Sequence, residues 1–491
     1  MNKTALTAFL FFFHCILVVN AQVFHNLDFS QSCDTSATKL CYWDLSWGNK
    51  ANVTIDTIDH AQCLMIRGIS MGDVGFTEQT STILLLEDIA IVTLSATVRS
   101  ENIEGKGAGI NLNVYDAGGQ LLAFKDMGGF YSVDWITGTT PWKEYSISLV
   151  CPIGTAKIAI GAILFGKGEA WYKNFKVVVT PVHHRKASKI AMEYIGAACD
   201  TIKKHSLIRD SFDIRKNKPE ALRIAGDAKK YSDCYLAVSY LLESLREYGD
   251  YHSFFMKASE VENWKKTGSA VSKIQFATHK VIDSCGYINV PPFHGGNPQS
   301  MLAYADSLQS AIRQLEDAGI KGWLIDLREN TGGNMEPMLA GLGPLFSSDR
   351  LGSLVDVENN RNAWYYKGGR YFTDDDAGWS VSDPVALKST LPIAVMTSTS
   401  VGSSGEIVVI SFIGNARTKS FGQPTMGLTT GNGSFEMPDG SQLFLASTIM
   451  CDRNDQPYTG SILPDVQIDK MIDDKVDVGL QQAIAWIKAQ H

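Results

Sequence analysis

The sequence predicts a multidomain chain with an N-terminal antiparallel β-sandwich of jelly-roll-like type, a helical cap and a C-terminal α/β core. Three observations carry this. Apolar residues alternate with polar ones in short runs as far as about Pro181, repeat at helical spacing from about His184, and fall into alternating strand and helix patterns from about Ser272. A length of 491 residues suits about three domains. With 45% hydrophobic and 20% charged residues the chain is no disordered polymer. A net charge of -8, without a Lys/Arg block, leaves no basic field for phosphates, so nucleic acid is excluded as a partner. The divisions expected are 1–21 as a signal peptide, 22–181 as the sandwich module, 182–264 as the helical cap and 265–491 as the α/β core.

The first segment reads as an address. Lys3 precedes a mostly apolar run from Ala5 to Val19, and Val19-Asn20-Ala21 offers a small-residue cleavage site. The run is shorter than the roughly 20 residues that span a bilayer, and no later stretch is apolar enough to cross one. The expectation is a secreted or periplasmic protein, cleaved near Ala21, with no transmembrane segment in its mature part. Such a compartment permits disulfides, and Cys33 and Cys41 are close enough to pair. The other cysteines read as small buried apolar residues. None has CxxC spacing and none stands near a His at ligand spacing, so neither a metal nor an organic cofactor is expected.

In the sandwich stretch, Ile110, Leu112 and Val114 alternate before the turn Asp116-Ala117-Gly118-Gly119. Tyr145, Ile147 and Leu149 alternate again, and Trp171 to Val179 closes the region. Five of the chain's tryptophans lie here: Trp43, Trp47, Trp135, Trp142 and Trp171. They either stack on sugar rings, giving a glycan partner, or fill the core.

The cap follows from Ile190, Tyr194, Ile195, Ala198 and Ile202, then from Ala237, Tyr240, Leu241, Leu245 and Tyr248, all at helical spacing. Gly249 ends the second helix, which leaves His252 in the turn just beyond. In the core, Cys285–Val290, Trp323–Leu327 and Pro392–Met396 read as buried strands. Ser300–Asp317, a helix from near Met335, Ser403–Phe412 and a closing helix through Val478, Ile484 and Ile487 alternate with them.

Two strand-to-helix turns are placed for chemistry. Asp326-Leu327-Arg328-Glu329-Asn330-Thr331-Gly332-Gly333-Asn334 sets paired glycines before a helix, where backbone N–H groups can face a developing oxyanion. It also reads as an ordinary turn needing positive φ. Thr399-Ser400-Val401-Gly402-Ser403-Ser404-Gly405-Glu406 puts a serine at a helix mouth, like a nucleophile, but Ser403-x-x-Glu406 is equally a capping box. A serine nucleophile needs a base, and His252 and His294 both stand beside the α/β core. Residue spacing alone does not choose between them.

The last 300 or so residues resemble the tail-specific (C-terminal processing) protease family, peptidase family S41, whose catalytic domain is related to the crotonase and ClpP folds. The matching segments are GDYHS at 249–253, CGYINVP at 285–291, DLRENTGGN at 326–334, TSTSVGSSGE at 397–406, SFGQPTMGLTTGN at 420–432 and PDVQI at 464–468, in the family's order and with the usual spacing from Glu406 to Pro424. The resemblance implies Ser403 as nucleophile and Gly332, Gly333 and Ser404 as the oxyanion hole. Many members activate the serine with a lysine in PTFGKG; here Leu428 stands in the lysine's place, and leucine accepts no proton. The tricorn-like branch uses histidine instead, and His252 matches it. An acid a few residues before the closing PD is implied by the same branch. Counting back from Pro464-Asp465 reaches Tyr458, with Asp452 and Asp455 nearest; Asp452 is assigned, with Glu406 as the alternative. Only about 30 residues separate His252 from Gly286, fewer than the ~50 of a small domain, so the family's PDZ insertion is missing.

The function implied is an exported serine peptidase that hydrolyses peptide bonds of a peptide or protein substrate. Two other readings stand beside it. One is a non-catalytic ligand-binding protein on the same fold, as in the interphotoreceptor retinoid-binding modules. The other is a surface-glycan binder using the core as scaffold.

Overall fold

A computed structural model describes residues 24–31, 41–44, 52–70, 73–83, 86, 88–128, 135–267, 274–388, 390–469, 471–473 and 476–490. The expected signal peptide, Cys33 and Trp47 lie outside them. The chain divides into two compact units, Met1–Lys186 and Ala187–His491. Among the described residues no helix is long and apolar enough to cross a membrane.

The first unit is one antiparallel sheet built on two long strands, Ala90–Tyr115 and Lys157–Pro181. Their pairing slips between Glu101 and Gly107, where Gly105, Gly107, Gly166 and Gly168 all take positive φ. A Cβ on Gly168 would stand 2.5 Å from the carbonyl oxygen of Asn102, so only glycine lets the strands approach at this bend. The halves of these strands take different neighbours. Val74–Thr82 and Leu121–Asp126 pair beyond the bend, while Ala61–Gly68 and Ile136–Cys151 pair chiefly before it. Val92, Leu94, Ile110, Leu112, Ile158 and Ile160, from both halves, meet in one core. The alternation noticed from Ile110 onward thus extends back to Ala90.

Trp43, Trp135 and Trp171 are buried in this unit and Trp142 is half-buried. The Lys173 ammonium lies 4.0 Å from the Trp142 ring centroid and the Arg99 guanidinium 5.3 Å from that of Trp171, so a cation covers a face of each. Cys41 is disulfide-bonded. Cys63, Cys151, Cys199, Cys234, Cys285 and Cys451 are free and buried.

The second unit joins the helical segment to the α/β core. Lys189–His205 is a helix capped by Ser188, whose side chain accepts from the Ala191 N–H. Ile214–Ala225 and Tyr235–Leu245 pack with it, and Met437, Leu443 and Leu445 complete their core. The helices therefore do not form a separate body, because the strand Gln442–Asp452 supplies the surface that buries their apolar stripes. The short strand Phe254–Met256 pairs with that same strand, Phe254 opposite Phe444 with rings stacked 4.5 Å apart. This pairing fixes the turn that precedes it.

A six-stranded sheet runs Val466–Gln467, Thr418–Gly422, Ile393–Thr397, Gly322–Asp326, Cys285–Asn289, Thr278–Ile282, parallel except for the last pair. Helices Pro298–Asp317, Met335–Leu342 and Ser404–Phe412 cover one face through Ile288, Ile325 and Val395. The closing helix Val478–Lys488 covers the other through Leu324, Ala394 and Phe421. A second, antiparallel sheet includes Arg350–Asp356, Arg361–Lys367, Thr430–Glu436 and Gln442–Asp452. Its strands between Arg350 and Ser380 are absent from the sequence reading.

Candidate active site

The strand Ile393–Thr397 ends in a turn tied down at each step. Ser398 Oγ donates to the Arg328 carbonyl at 2.5 Å, the Val401 N–H donates to the Ser398 carbonyl, and the Met426 N–H donates to the Val401 carbonyl at 2.7 Å. The chain then enters its helix through Ser403, whose backbone sits at φ 52° and ψ −122°. L-residues rarely occupy that region, and it persists only where surrounding bonds enforce it. The strain presents Ser403 Oγ to His252: Oγ and Nε2 are 3.0 Å apart.

The capping box is real on the glutamate side. Glu406 Oε2 accepts the Ser403 N–H at 3.0 Å, while Oε1 accepts from Thr425 Oγ1 and from the Gly427 N–H at 2.8 Å. Burial pushes the Glu406 carboxyl pKa upward against these bonds. Glu406 is thus a structural anchor for the turn, and Ser403 Oγ, which also faces the Glu406 N–H of the capping box, stands at hydrogen-bonding distance from the imidazole.

His252 is held from several sides. Asp250, the buried acid of the GDYHS turn, accepts from the backbone N–H of His252 and of Ser253 and from Ser253 Oγ, which in turn accepts the Ala446 N–H at 2.9 Å. Asn432 Nδ2 donates to the His252 carbonyl at 3.0 Å. At the far side of the ring, Nδ1 lies 2.8 Å from Thr430 Oγ1. Burial depresses the imidazole pKa to about 4, with the Asp250 charge and a hydrogen bond to the Thr430 main chain opposing the shift. The ring is therefore neutral at neutral pH and able to accept a proton.

Asp452 Oδ1 accepts the N–H groups of Asn454 and Gln456, closing the turn after its own strand, while the hydrogen-bond partner of His252 Nδ1 is Thr430. An aspartate at a strand end has ready partners two residues on. His294 lies beside the glycine turn, its Nδ1 3.0 Å from where a Cβ on Gly333 would stand, but it is His252 that pairs with Ser403.

The glycine turn meets Ser403 closely. A Cβ on Gly332 would stand 2.8 Å from Ser403 Cβ, and Gly332 and Gly333 have φ of 108° and 109°. The Gly332 N–H donates to Asn330 Oδ1 at 3.0 Å and is therefore spent. The Gly333 N–H is differently placed. The bridge between Phe293 and this turn uses the Gly332 carbonyl and the Asn334 N–H, and leaves the Gly333 N–H out. Ser404 Oγ donates to the Gly333 carbonyl at 2.6 Å, and the Ser404 N–H opens the helix, where no intrahelical acceptor exists. Asn330, not singled out in the sequence, organises both turns. Fully buried, it donates to the Val290 carbonyl, accepts the Gly332 N–H and, through its own carbonyl, accepts the Gly402 N–H.

Leu428 lies near Gly402, its Cδ1 3.5 Å from a Cβ built there, so the position opposite the serine turn is apolar. Among the described residues no group of three His, Cys, Asp or Glu is placed to hold a metal ion. A cavity of about 580 Å³ lined by Tyr287, Asp326, Arg328 and Asp477 includes neither Ser403 nor His252. Within it Arg328 bonds both Asp326 and Asp477.

A serine, a neutral histidine at hydrogen-bonding distance and two helix-mouth turns make a site suited to acyl transfer. Residues 284–468 match peptidase family S41, a span that holds Ser403 and both glycines but begins after His252. Over that span the chain resembles peptidase family S41. The nisin-resistance protein of Lactococcus lactis subsp. lactis is 26% identical over 334 residues, covering 68% of this chain and 96% of that protein. Among solved structures, a lipoprotein from Streptococcus agalactiae aligns at 24% identity over 61% of this chain and 97% of its own, with a TM-score of 0.48. The photosystem II D1 C-terminal processing protease aligns at 13% identity over 61% of this chain and 97% of its own, with a TM-score of 0.41.

Proposed function

We propose that this protein is an exported serine peptidase of the S41 family whose base is a histidine, that its N-terminal unit is a jelly-roll-like β-sandwich module, and that its C-terminal unit holds a crotonase-like core. The observation that carries the catalytic reading is the 3.0 Å approach of His252 Nε2 to Ser403 Oγ. His252 takes the Ser403 proton as Oγ attacks the scissile carbonyl carbon. The oxyanion that forms is met by the N–H groups of Ser404 and Gly333, with Gly332 providing the close approach rather than a donor. The imidazolium then gives its proton to the leaving amine, and water repeats the sequence to release the acyl group. The apolar Leu428 supports this assignment, since the family's lysine is missing and a neutral histidine occupies the base's place.

The test is hydrolysis of an unstructured protein such as casein by the purified mature chain. Activity should vanish in Ser403→Ala and in His252→Ala. Equal proteolysis by either variant would reject the assignment.

A further inference from the structure

We propose that Thr430 is the positioning residue of the histidine, holding the His252 ring in the tautomer that leaves Nε2 free, a task usually given to an acid. The inference rests on the Ser403–His252 reading above. For Nε2 to accept the serine proton, Nδ1 must carry the ring's own hydrogen and donate it. Among the described residues the acceptors at Nδ1 belong to Thr430: Oγ1 at 2.8 Å, and the main chain, whose hydrogen bond to the ring opposes the effect of burial. A hydroxyl alone is ambiguous, because it donates as readily as it accepts. In the Nδ1–H form the hydroxyl accepts from the ring, and the Thr430 carbonyl beside it can only accept, so both favour that form and loss of the hydroxyl weakens the preference without abolishing it.

Thr430 is well fixed for this work. It opens the strand Thr430–Glu436 and pairs with Ile449, while the next residues break register between Gly431 and Asn432. That irregularity lets Asn432 turn to the His252 carbonyl while Thr430 faces the ring, so one strand end grips both the backbone and the side chain of the histidine. Negative charge still acts on the ring, but from Asp250, which bonds the His252 backbone N–H. Orientation and charge compensation, joined in one aspartate in the usual triad, are here divided between Thr430 and Asp250.

The experiment combines kinetics with a direct reading of the tautomer. In protein labelled with ¹⁵N-histidine, the His252 ring signals, assigned by their loss in His252→Ala, should report the Nδ1–H form near pH 7. Thr430→Val keeps the shape and the carbonyl but removes the hydroxyl. It should lower kcat roughly 10- to 100-fold, short of the ~10⁴-fold that a wholly wrong tautomer costs, with KM little changed and Nε2–H signal appearing. Thr430→Ser should restore both readouts. An Nε2–H ring in the wild type, or a Thr430→Val variant with unchanged tautomer and kcat, overturns the proposal. The wild-type tautomer and Thr430→Ser decide the matter if Thr430→Val does not fold. An Nδ1–H ring in a protein that cleaves nothing would overturn the peptidase reading and leave the role of Thr430 standing.

Discussion

The Asn330 carbonyl accepts the Gly402 N–H at 3.2 Å, and this bond joins the turn of the paired glycines to the turn of the serine. Each turn alone is a common strand-to-helix connection. Joined, they fix where the Gly333 and Ser404 N–H groups stand relative to Ser403 Oγ. The Asn330 side chain extends the link by accepting from Gly332 and donating to Val290. Asn330→Ala should therefore strand a buried N–H and a buried carbonyl, at about 1–3 kcal/mol of stability. It should also slow acylation by a fluorophosphonate, measured as a labelling rate beside a urea unfolding curve. Wild-type labelling in this variant would show that the side-chain part of the link does not set the geometry.

The backbone at Ser403 stores strain, and removing it has a measurable sign. Ser403→Ala and Ser403→Gly both delete the hydroxyl, but only glycine is at ease at φ 52° and ψ −122°. The glycine variant should unfold at the higher temperature, with a stability gain over the alanine variant of about 1–3 kcal/mol for the C-terminal unit. Equal midpoints would argue that the turn is unstrained.

Glu406 accepts from the Ser403 N–H, the Gly427 N–H and the Thr425 hydroxyl, and a hydrogen bond from the Leu428 main chain also favours its charged form. Glu406→Gln sets an amide NH₂ against one of them, leaving a buried donor unmatched at a cost of about 1–3 kcal/mol. Loss of catalysis with unchanged stability would instead favour a direct chemical role for the acid. Calorimetry and a kinetic assay on the same sample separate the two.

The pH dependence follows from the depressed His252 pKa of about 4. Only the neutral ring can accept the serine proton, so kcat/KM on the acid side should stay level below the ordinary histidine range and fall as pH nears 4. Linkage has the same direction. Because the unfolded chain protonates this histidine near 6.5 and the folded one only near 4, the contribution to stability is complete above 6.5 and is lost as pH falls through about 4. An acid limb with its midpoint near 6.5 would contradict the buried, neutral histidine.

Much of the C-terminal architecture could be read from local pattern because strong periodicity and good caps coincide there. The helix Pro298–Asp317 carries its apolar stripe in sequence and begins at Asn297, whose side chain accepts the Ser300 N–H. The strand Ile393–Thr397 is a continuous apolar run because helices cover both faces of its sheet. The strands from Arg350 to Ser380 were not legible, since Trp364, Tyr366 and Tyr371 pack into a core whose other members are distant in sequence. Ser403 and His252 could be paired through the family's motifs, but Thr430 could not. Its role depends on a strand register broken at Gly431, and no spacing in Thr429-Thr430-Gly431-Asn432 distinguishes the threonine that meets a ring from its neighbour. Asp452, by contrast, bonds the N–H groups of its own next turn and the Tyr458 side chain.

The identity of the reactive group decides the mechanism most directly. Peptide mapping by mass spectrometry after treatment of the folded protein with a fluorophosphonate should find one adduct, on Ser403, absent from His252→Ala at the same exposure time. An unlabelled protein, an adduct on another serine, or labelling of His252→Ala at the wild-type rate would contradict it.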